Sequence, residues 1–375
     1  MPFTDLCAQR RHLGPAVDEA IHRVLDHGAY IMGPEVAQLE ADLSAFCGAK
    51  HAISCGSGTD ALVLVLMAKG VKAGDAVFCP SFTFAATAEA IALLGATPIF
   101  VDILPDTFNF DVGSLRPSME MARARGLNPV GIITVDLFGQ PADYDRIEAA
   151  ADREGLWLVC DAAQSFGASY KGRKVGTIGL ATAASFYPAK PLGCYGDGGA
   201  VFTDDGELAD IIRSLRIHGQ GADKYDNVRI GMNGRLDTLQ AAILIEKLKI
   251  FPEEIAARNR IASRYSEQLR DIAAVPHILA NTTSVWAQYT LRLPELDRGA
   301  FQAFLAAAGI PTAVHYPKPL HRQAAYKHFP AAPNGLPVSE RLAAEVVSLP
   351  MHPYLTEDVQ GRVTAAVRAA LAAQA

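Results

Sequence analysis

The chain has 375 residues, of which half are apolar and a fifth are charged, a composition typical of a globular protein with a sizeable core. Against 34 Lys and Arg stand 40 Asp and Glu, and the formal net charge of −6 lacks the basic excess of a nucleic-acid-binding protein. The apolar run at residues 61–68 is too short to cross a bilayer, and the N-terminus has no signal-peptide pattern.

Residues 50–205 alternate short apolar runs with longer helical patterns. Strands are predicted at residues 51–55, 76–79, 97–101, 131–135, 156–161, 183–187 and 200–203. Helices are predicted between them at residues 60–69, 84–94, 142–154 and 207–215. Several of these strands are apolar on both faces, so the alternation predicts an α/β fold with a mostly parallel central sheet flanked by helices.

The pattern changes after residue 216. A polar, glycine-containing loop at 217–234 leads to a helix at 236–249, and Phe251-Pro252 predicts a break before a second helix that ends at 269. The remaining chain mixes one strand with three helices, predicted at residues 286–293, 298–308, 339–347 and 356–373. We therefore predict a large domain with an N-terminal arm at residues 1–249 and a small C-terminal α+β domain at residues 250–375.

The six cysteines are widely spaced and form no C-x-x-C pair. In a chain of this length without an export signal, this spacing predicts reduced thiols and neither a disulfide framework nor a metal site. Together with the charge and hydropathy, it predicts a cytoplasmic protein that binds neither nucleic acid nor membrane.

The first motif with chemical potential is a Gly/Ser/Thr turn at residues 54–62, between a predicted strand and a predicted helix. Free backbone N–H groups at the helix start, helped by the hydroxyls of Ser57 and Thr59, fit a phosphate group. Glycine-rich turns of this kind also serve packing alone, so both interpretations stay open for this motif by itself.

Asp161 ends the apolar strand at residues 156–161, at the sheet edge where ligands of α/β folds collect. A buried carboxylate needs a partner there, because desolvating an unpaired charge is costly. The alternative is that Asp161 serves as a helix N-cap for the following turn.

Lys190 lies in a loop rich in Gly and Pro, directly after the apolar strand at 183–187. A lysine considered singly is usually a surface residue. The three motifs together supply a phosphate cradle, a carboxylate and an amine, each at a strand end. Pyridoxal phosphate requires these three groups: an anion site, a partner for its pyridinium nitrogen and a Schiff-base lysine.

The segments at residues 56–62, 161–168 and 185–199 resemble the signature of the nucleotide-sugar aminotransferases, the DegT-type branch of fold-type I pyridoxal-phosphate enzymes. The likeness covers nearly the whole chain and is greatest to the WbpE/WlbC-type group, which aminates C3 of UDP-2-acetamido-2-deoxy-3-oxo-glucuronate with glutamate. The segments that carry this finer likeness are residues 27–34, 235–243, 287–291, 309–317 and 349–355.

The resemblance implies roles for the cofactor-binding residues. Lys190 would bind the cofactor covalently and move a proton during catalysis, and Asp161 would keep the pyridine nitrogen protonated. Phe84 would stack on the ring, although a phenylalanine in such a segment is more often part of the core. The other implied cofactor contacts are Gly58, Thr59 and Ser185 to the phosphate, Gln164 beside the ring hydroxyl, and Asn233 reaching the phosphate of a neighbouring subunit.

The resemblance also implies a sugar-nucleotide site at Gly28, Tyr30, Ala189, Arg235, His315 and Tyr316. Arg235 suits an anionic group, with a salt bridge to Asp237 or Glu246 as the alternative. His315 could equally be a hydrogen-bonded structural histidine. Ala189 stands where close relatives have serine, and Cys160 stands where the family usually has Glu or Asp. We expect the Cys160 side chain to point away from the cofactor.

The activity implied is a two-stage amino transfer from L-glutamate to the 3-keto group of a UDP-linked uronate, for surface-polysaccharide sugars, by a homodimer with its active site at the subunit interface. One alternative is another nucleotide-linked keto sugar, such as a 4-keto-6-deoxyhexose. The other, of a different class, is a pyridoxal-phosphate-binding regulator without turnover.

Overall fold

The structure is a computed structural model that describes residues 1–374. Within this range the helices fall into an N-terminal group, a group interleaved with strands and a C-terminal group. They are α1 (Leu6–Leu13), α2 (Ala16–His27), α3 (Pro34–Cys47), α4 (Gly58–Ala68), α5 (Ala86–Leu93), α6 (Leu115–Ala124), α7 (Tyr144–Glu154), α8 (Gly206–Leu215), α9 (Thr238–Leu269), α10 (Arg298–Ala307), α11 (Pro337–Glu345) and α12 (Glu357–Ala372).

The strands form one large sheet and two small ones. They are β1 (His51–Cys55), β2 (Asp75–Pro80), β3 (Thr97–Val101), β4 (Asn128–Val135), β5 (Trp157–Asp161), β6 (Ser169–Tyr170), β7 (Arg173–Lys174), β8 (Ala181–Ser185), β9 (Gly199–Thr203), β10 (Thr282–Thr283), β11 (Tyr289–Arg292) and β12 (Val346–Leu349). All seven strands predicted between residues 50 and 205 are present, with ends that differ by at most three residues.

The large sheet has seven strands in the order β1-β9-β8-β5-β4-β2-β3. β9 is antiparallel to both of its neighbours, and the other four pairings are parallel, which confirms the predicted α/β fold with a mostly parallel sheet. Two antiparallel steps give β1 the same direction as β8. The carboxyl ends of β1, β2, β4, β5 and β8 therefore meet at one edge of the sheet.

Helices cover both faces of this sheet, which explains its continuously apolar strands. The adjacent residues Ile132 and Ile133 of β4 are both fully buried but belong to opposite cores. Ile133 packs in the core that includes α4, α5 and α8, whereas Ile132 packs with α6 and α7. Two buried faces stiffen the sheet edge that carries the functional loops.

The predicted break at Phe251-Pro252 is wrong, because α9 runs unbroken from Thr238 to Leu269. Pro252 is exposed, while other residues along the helix, such as Leu244, Phe251 and Tyr265, are buried. The continuous buried face offsets the cost of about 3 kcal/mol for a proline in a helix interior. The predicted domain boundary at residues 249/250 lies within this helix, and the division into two domains stays a prediction.

The C-terminal part has its own apolar core, formed by the end of α9, the antiparallel pair β11–β12, and helices α10 and α12. The helix predicted at 339–347 ends at Glu345, because the following residues pair with β11 as strand β12. No helix within residues 1–374 combines the length and the apolar character needed to cross a membrane.

Candidate active site

A cavity of about 510 Å³ lies at the edge where the carboxyl ends of the parallel strands meet. The loops after β1, β2, β5 and β8 each contribute to its wall. Among its lining residues are eight of the site residues predicted from the sequence: Gly58, Thr59, Phe84, Asp161, Gln164, Ser185, Lys190 and Tyr316.

The Gly/Ser/Thr turn forms the N-terminus of α4. Ser57 caps this helix, since its hydroxyl oxygen accepts a hydrogen bond from the Asp60 N–H at 3.0 Å. A Cβ atom at Gly58 would lie 2.7 Å from the Cβ of Ser185, so only glycine lets the helix start approach β8 this closely. The N–H groups of the first turn therefore face the cavity beside the Thr59 and Ser185 hydroxyls, a suitable arrangement for a phosphate.

Asp161 lies at the end of β5 and is 6% exposed. Its carboxylate accepts hydrogen bonds from the Thr87 hydroxyl at 2.8 Å and from the Ala163 N–H at 3.1 Å. Burial raises the pKa of Asp161, while these two hydrogen bonds and the nearby Lys190 oppose the shift. The Ala163 contact shows that Asp161 caps the turn at residues 163–167, as the alternative predicts, although this turn does not continue into a helix and the residue also lines the cavity.

Lys190 is partly buried in the loop after β8 and lines the cavity. Burial lowers the pKa of its amine, and the neighbouring Asp161 carboxylate acts in the opposite direction. A lysine with a depressed pKa has more of the neutral amine that nucleophilic and proton-transfer chemistry requires.

Gln164 connects two walls of the cavity. Its side-chain oxygen accepts a hydrogen bond from the Phe138 N–H at 2.8 Å, and its amide nitrogen donates to the Tyr316 hydroxyl at 2.7 Å. Phe84 is 61% exposed at the cavity mouth, so the alternative that it belongs to the core is wrong. Its ring is available to stack on a flat ligand.

Arg235 and His315 each hold a buried nitrogen that has no hydrogen-bond partner within residues 1–374. Arg235 forms no ion pair with Asp237 or Glu246, and Glu246 instead pairs with Arg23 and Lys249. The salt-bridge alternative for Arg235 is therefore wrong. His315 is not hydrogen-bonded through Nε2, and burial, together with the charge of Lys190, lowers its pKa to about 4.

Six predicted residues do not line this cavity within the single chain: Arg235 and His315, described above, and four exposed residues. Asn233, Gly28, Tyr30 and Ala189 are all exposed, and none of them lines it. Cys160, which precedes Asp161 on β5, points to the other face of the sheet as expected, where its sulfur lies 2.7 Å from the Tyr144 hydroxyl.

The sequence reasoning missed four residues at the site: Thr83, Thr87, Tyr187 and Asp197. Tyr187 and Asp197 flank the lysine loop, and a closer examination of that motif could have found them. Thr87 gave no signal of its own, because its contact with Asp161 depends on the positions of β2 and β5 in the sheet.

The model of the DegT/DnrJ/EryC1/StrS aminotransferase family matches residues 12–368. The chain belongs to this family. It is 51% identical to the UDP-2-acetamido-2-deoxy-3-oxo-D-glucuronate aminotransferase of Pseudomonas aeruginosa, covering 94% of this chain and 95% of that protein.

Two solved structures extend the comparison. A DegT DnrJ EryC1 StrS aminotransferase from Brucella abortus superposes with a TM-score of 0.96 at 52% identity, over 98% of this chain and 99% of that one. NtdA from Bacillus subtilis, solved with bound cofactor PMP, gives a TM-score of 0.87 at 29% identity, over 99% and 83% of the two chains. The chain is accordingly a pyridoxal-phosphate-dependent aminotransferase.

The residues of the cavity fit this cofactor. The space beside Gly58 that any Cβ would fill adjoins the N–H groups suited to its phosphate. Asp161 offers a buried carboxylate for the ring nitrogen, and Lys190 offers an amine with a depressed pKa. Phe84 and Gln164 line the space between these groups.

We expect Gly58→Ala to weaken pyridoxal phosphate binding by about tenfold or more, since the new Cβ forces α4 and β8 apart at the phosphate cradle. The dissociation constant is measured by titrating the cofactor into resolved enzyme and following its absorbance. Gly361→Ala is the matched control, because a Cβ at this helical position meets no atom within 4 Å. Equal affinities for both variants would contradict the assignment of this cradle.

Proposed function

We propose that the enzyme transfers the amino group of L-glutamate to the 3-keto group of UDP-2-acetamido-2-deoxy-3-oxo-D-glucuronate, producing a sugar for surface polysaccharide such as O-antigen. The observation that carries the proposal is the meeting of Lys190, Asp161 and the Gly58 cradle around one cavity. The choice of sugar is supported by the 51% identity to the Pseudomonas aeruginosa enzyme along nearly the whole chain. The free buried cysteines fit the reducing conditions of the cytoplasm.

Pyridoxal phosphate, when bound, supplies an electron-withdrawing ring that stabilises negative charge at the carbon losing a proton. The N–H groups of Gly58 and Thr59 and the hydroxyl of Ser185 hold its phosphate. Asp161 holds a proton on the ring nitrogen, while Thr87 and the Ala163 N–H fix the orientation of the Asp161 carboxylate. Phe84 restricts the ring to one plane.

Lys190 moves the proton. With the cofactor bound, its neutral amine would take the proton from the α-carbon of glutamate and release it to the cofactor, and it would move a proton in the reverse sense when the keto sugar is aminated. The lowered pKa suits both directions, because the amine must accept and release a proton near neutral pH. Gln164, held at both ends, keeps the Tyr316 hydroxyl in place beside the cavity.

The proposal includes a homodimer. Asn233 is exposed on the loop before α9, and we assign it to the phosphate site of a second subunit. Gly234 anchors this loop to the cradle through the hydrogen bond from the Gly56 N–H to the Gly234 carbonyl at 3.0 Å. Gly28 and Tyr30 lie beside the start of α9, since the Thr238 N–H donates to the Tyr30 carbonyl, and we assign them to the same shared surface.

An absorbance titration of the purified enzyme tests both halves of the reaction. Glutamate should remove the band of the lysine-bound cofactor, and UDP-2-acetamido-2-deoxy-3-oxo-D-glucuronate, generated in situ, should restore it. Loss without return would reject this sugar and favour another ketone, such as a 4-keto-6-deoxyhexose on UDP, dTDP or GDP. The absence of any band would reject the assignment of Lys190 and favour a regulator without turnover.

We propose that Arg235 binds an anionic group of the sugar nucleotide, because its buried Nε lacks a partner. Arg235→Ala should raise the KM for the keto sugar by about tenfold or more and leave the glutamate half-reaction within a factor of two, since charge-assisted hydrogen bonds contribute about 1.5–3 kcal/mol. Arg116→Ala, at an exposed position on α6, is the control. A loss confined to the glutamate half-reaction would overturn this role.

A further inference from the structure

A second cavity, of about 360 Å³, borders the active-site cavity. Thr83, Phe84 and Tyr316 line both cavities, so the two spaces share one wall. The second cavity is otherwise formed by Ala85, by the loop at residues 314–318 and by Gln323. The second cavity therefore lies directly beside the space that contains Lys190.

Two polar side chains of the second cavity have no protein partner within residues 1–374. Thr83 is 2% exposed, and its buried hydroxyl makes no hydrogen bond. His315 Nε2 is also buried and unpaired. Leaving a buried polar atom without a hydrogen bond is unfavourable, so two such atoms at one cavity indicate a polar ligand.

The charges identify the class of ligand. Lys318 is the charged residue in the wall of the second cavity, and this wall contains no Asp or Glu. The active-site cavity, by contrast, carries the carboxylates of Asp161 and Asp197 as well as the amine of Lys190. An anionic group is thus repelled from the Asp197 side and attracted to the Lys318 side.

The position of the second cavity suits a substrate group that lies several bonds from the reacting carbon. His315 lies close enough to Lys190 for the lysine charge to affect its ionisation. In the proposed substrate, C3 reacts beside Lys190 while the C6 carboxylate projects from the same pyranose ring. The carboxylate then projects away from Lys190, and the second cavity adjoins the active-site cavity at Thr83, Phe84 and Tyr316.

We propose that the second cavity binds the C6 carboxylate of the keto uronate, with the Thr83 hydroxyl and the Lys318 ammonium as its specificity-determining contacts. The inference rests on the proposed function and adds to it the origin of the uronate preference. The Thr83 hydroxyl donates to the carboxylate, Lys318 pairs with its charge, and His315 donates from the cavity wall. Arg235 is left to bind the diphosphate of the nucleotide.

The test compares two non-ketonic probes that differ only at C6. UDP-2-acetamido-2-deoxy-D-glucuronate has the carboxylate, and UDP-N-acetylglucosamine has a hydroxymethyl group. Each is titrated by calorimetry into holoenzyme that glutamate has first converted to its amine form. We expect the wild type to bind the uronate about tenfold more tightly.

Thr83→Val removes only the hydroxyl, and Lys318→Gln removes the charge at similar length. Each change should weaken uronate binding by about fivefold to tenfold and alter binding of the second probe by less than twofold. Lys327→Gln, an exposed lysine of the same connecting region outside both cavities, is the matched control and should change neither affinity.

Unchanged uronate affinity in both variants would overturn the inference, as would equal losses for both probes. A uronate preference that Arg235→Ala abolishes, and that Thr83→Val and Lys318→Gln preserve, would also overturn it by moving the carboxylate to Arg235. If the wild type still reacts with glutamate but binds neither probe, the proposed sugar substrate itself is wrong and the inference falls with it.

Discussion

Replacing Lys190 with alanine should lower kcat for amino transfer by about 10³-fold to 10⁴-fold, because the variant loses the group that moves the proton. Lys190 is the lysine of the active-site cavity, and the other charged groups in its wall are the carboxylates of Asp161 and Asp197. Neither carboxylate can replace an amine that must also bind the cofactor covalently. The rate is measured with glutamate in single-turnover experiments.

The same variant should retain the cofactor noncovalently, because the phosphate cradle and Asp161 are unchanged. Its absorbance should lack the lysine-bound band, and a small primary amine added to the solution should restore part of the rate. Lys327→Ala, at an exposed position outside the cavity, is the control and should keep full activity. Undiminished turnover of Lys190→Ala would disprove the assignment.

The strand ends explain why Asp161 and Lys190 could be predicted from the sequence. Each follows a continuously apolar strand, and parallel strands place their carboxyl ends at one edge. The local pattern therefore already brings these side chains together. The Gly58 turn follows β1 and lies at the same edge, because β9 is antiparallel to both β1 and β8 and these two strands therefore run in the same direction.

Contacts that depend on the order of the strands could not be predicted in this way. Thr87 follows β2 and reaches Asp161 at the end of β5, although β4 lies between these strands. The unpaired Thr83 hydroxyl belongs to a cavity wall completed by residues 314–318, which lie far away in sequence. At Pro252 the prediction of a helix break was wrong, because burial of one face of α9 outweighs the unfavourable effect of a proline within a helix.

Asp161→Asn should reduce kcat by about 10²-fold to 10⁴-fold, because asparagine cannot hold a proton on the ring nitrogen. Loss of one partner from a buried ion pair costs about 3–5 kcal/mol, and each 1.36 kcal/mol is tenfold in rate. Both half-reactions should slow together, since the ring acts in each. Loss of only one half-reaction would contradict this role.

In the cofactor-free protein, Asp161→Asn should not lower folding stability, although it lowers kcat in the enzyme with cofactor. Burial raises the pKa of Asp161 above its unfolded value, so the folded protein binds the extra proton and its stability falls as pH rises through that interval. Asparagine has no charge to desolvate, so Asp161→Asn should leave cofactor-free protein at least as stable as the wild type at neutral pH. Urea unfolding at pH 5 and pH 8 measures the difference.

Asp136→Asn tests the effect of a buried aspartate on pH-dependent stability separately from its effect on catalysis. Asp136 is likewise fully buried, and burial raises its pKa to about 6, but its carboxylate contacts Tyr144 and Ser165 away from the cavity. This variant should also lose the fall in stability between pH 4 and pH 6, yet keep kcat within about threefold. Burial makes ionisation of both aspartates unfavourable in the folded chain. Only Asp161 faces the protonated cofactor ring, which offsets the cost of ionising its carboxylate. Asp161 is therefore the residue at which cofactor binding and protein stability are coupled.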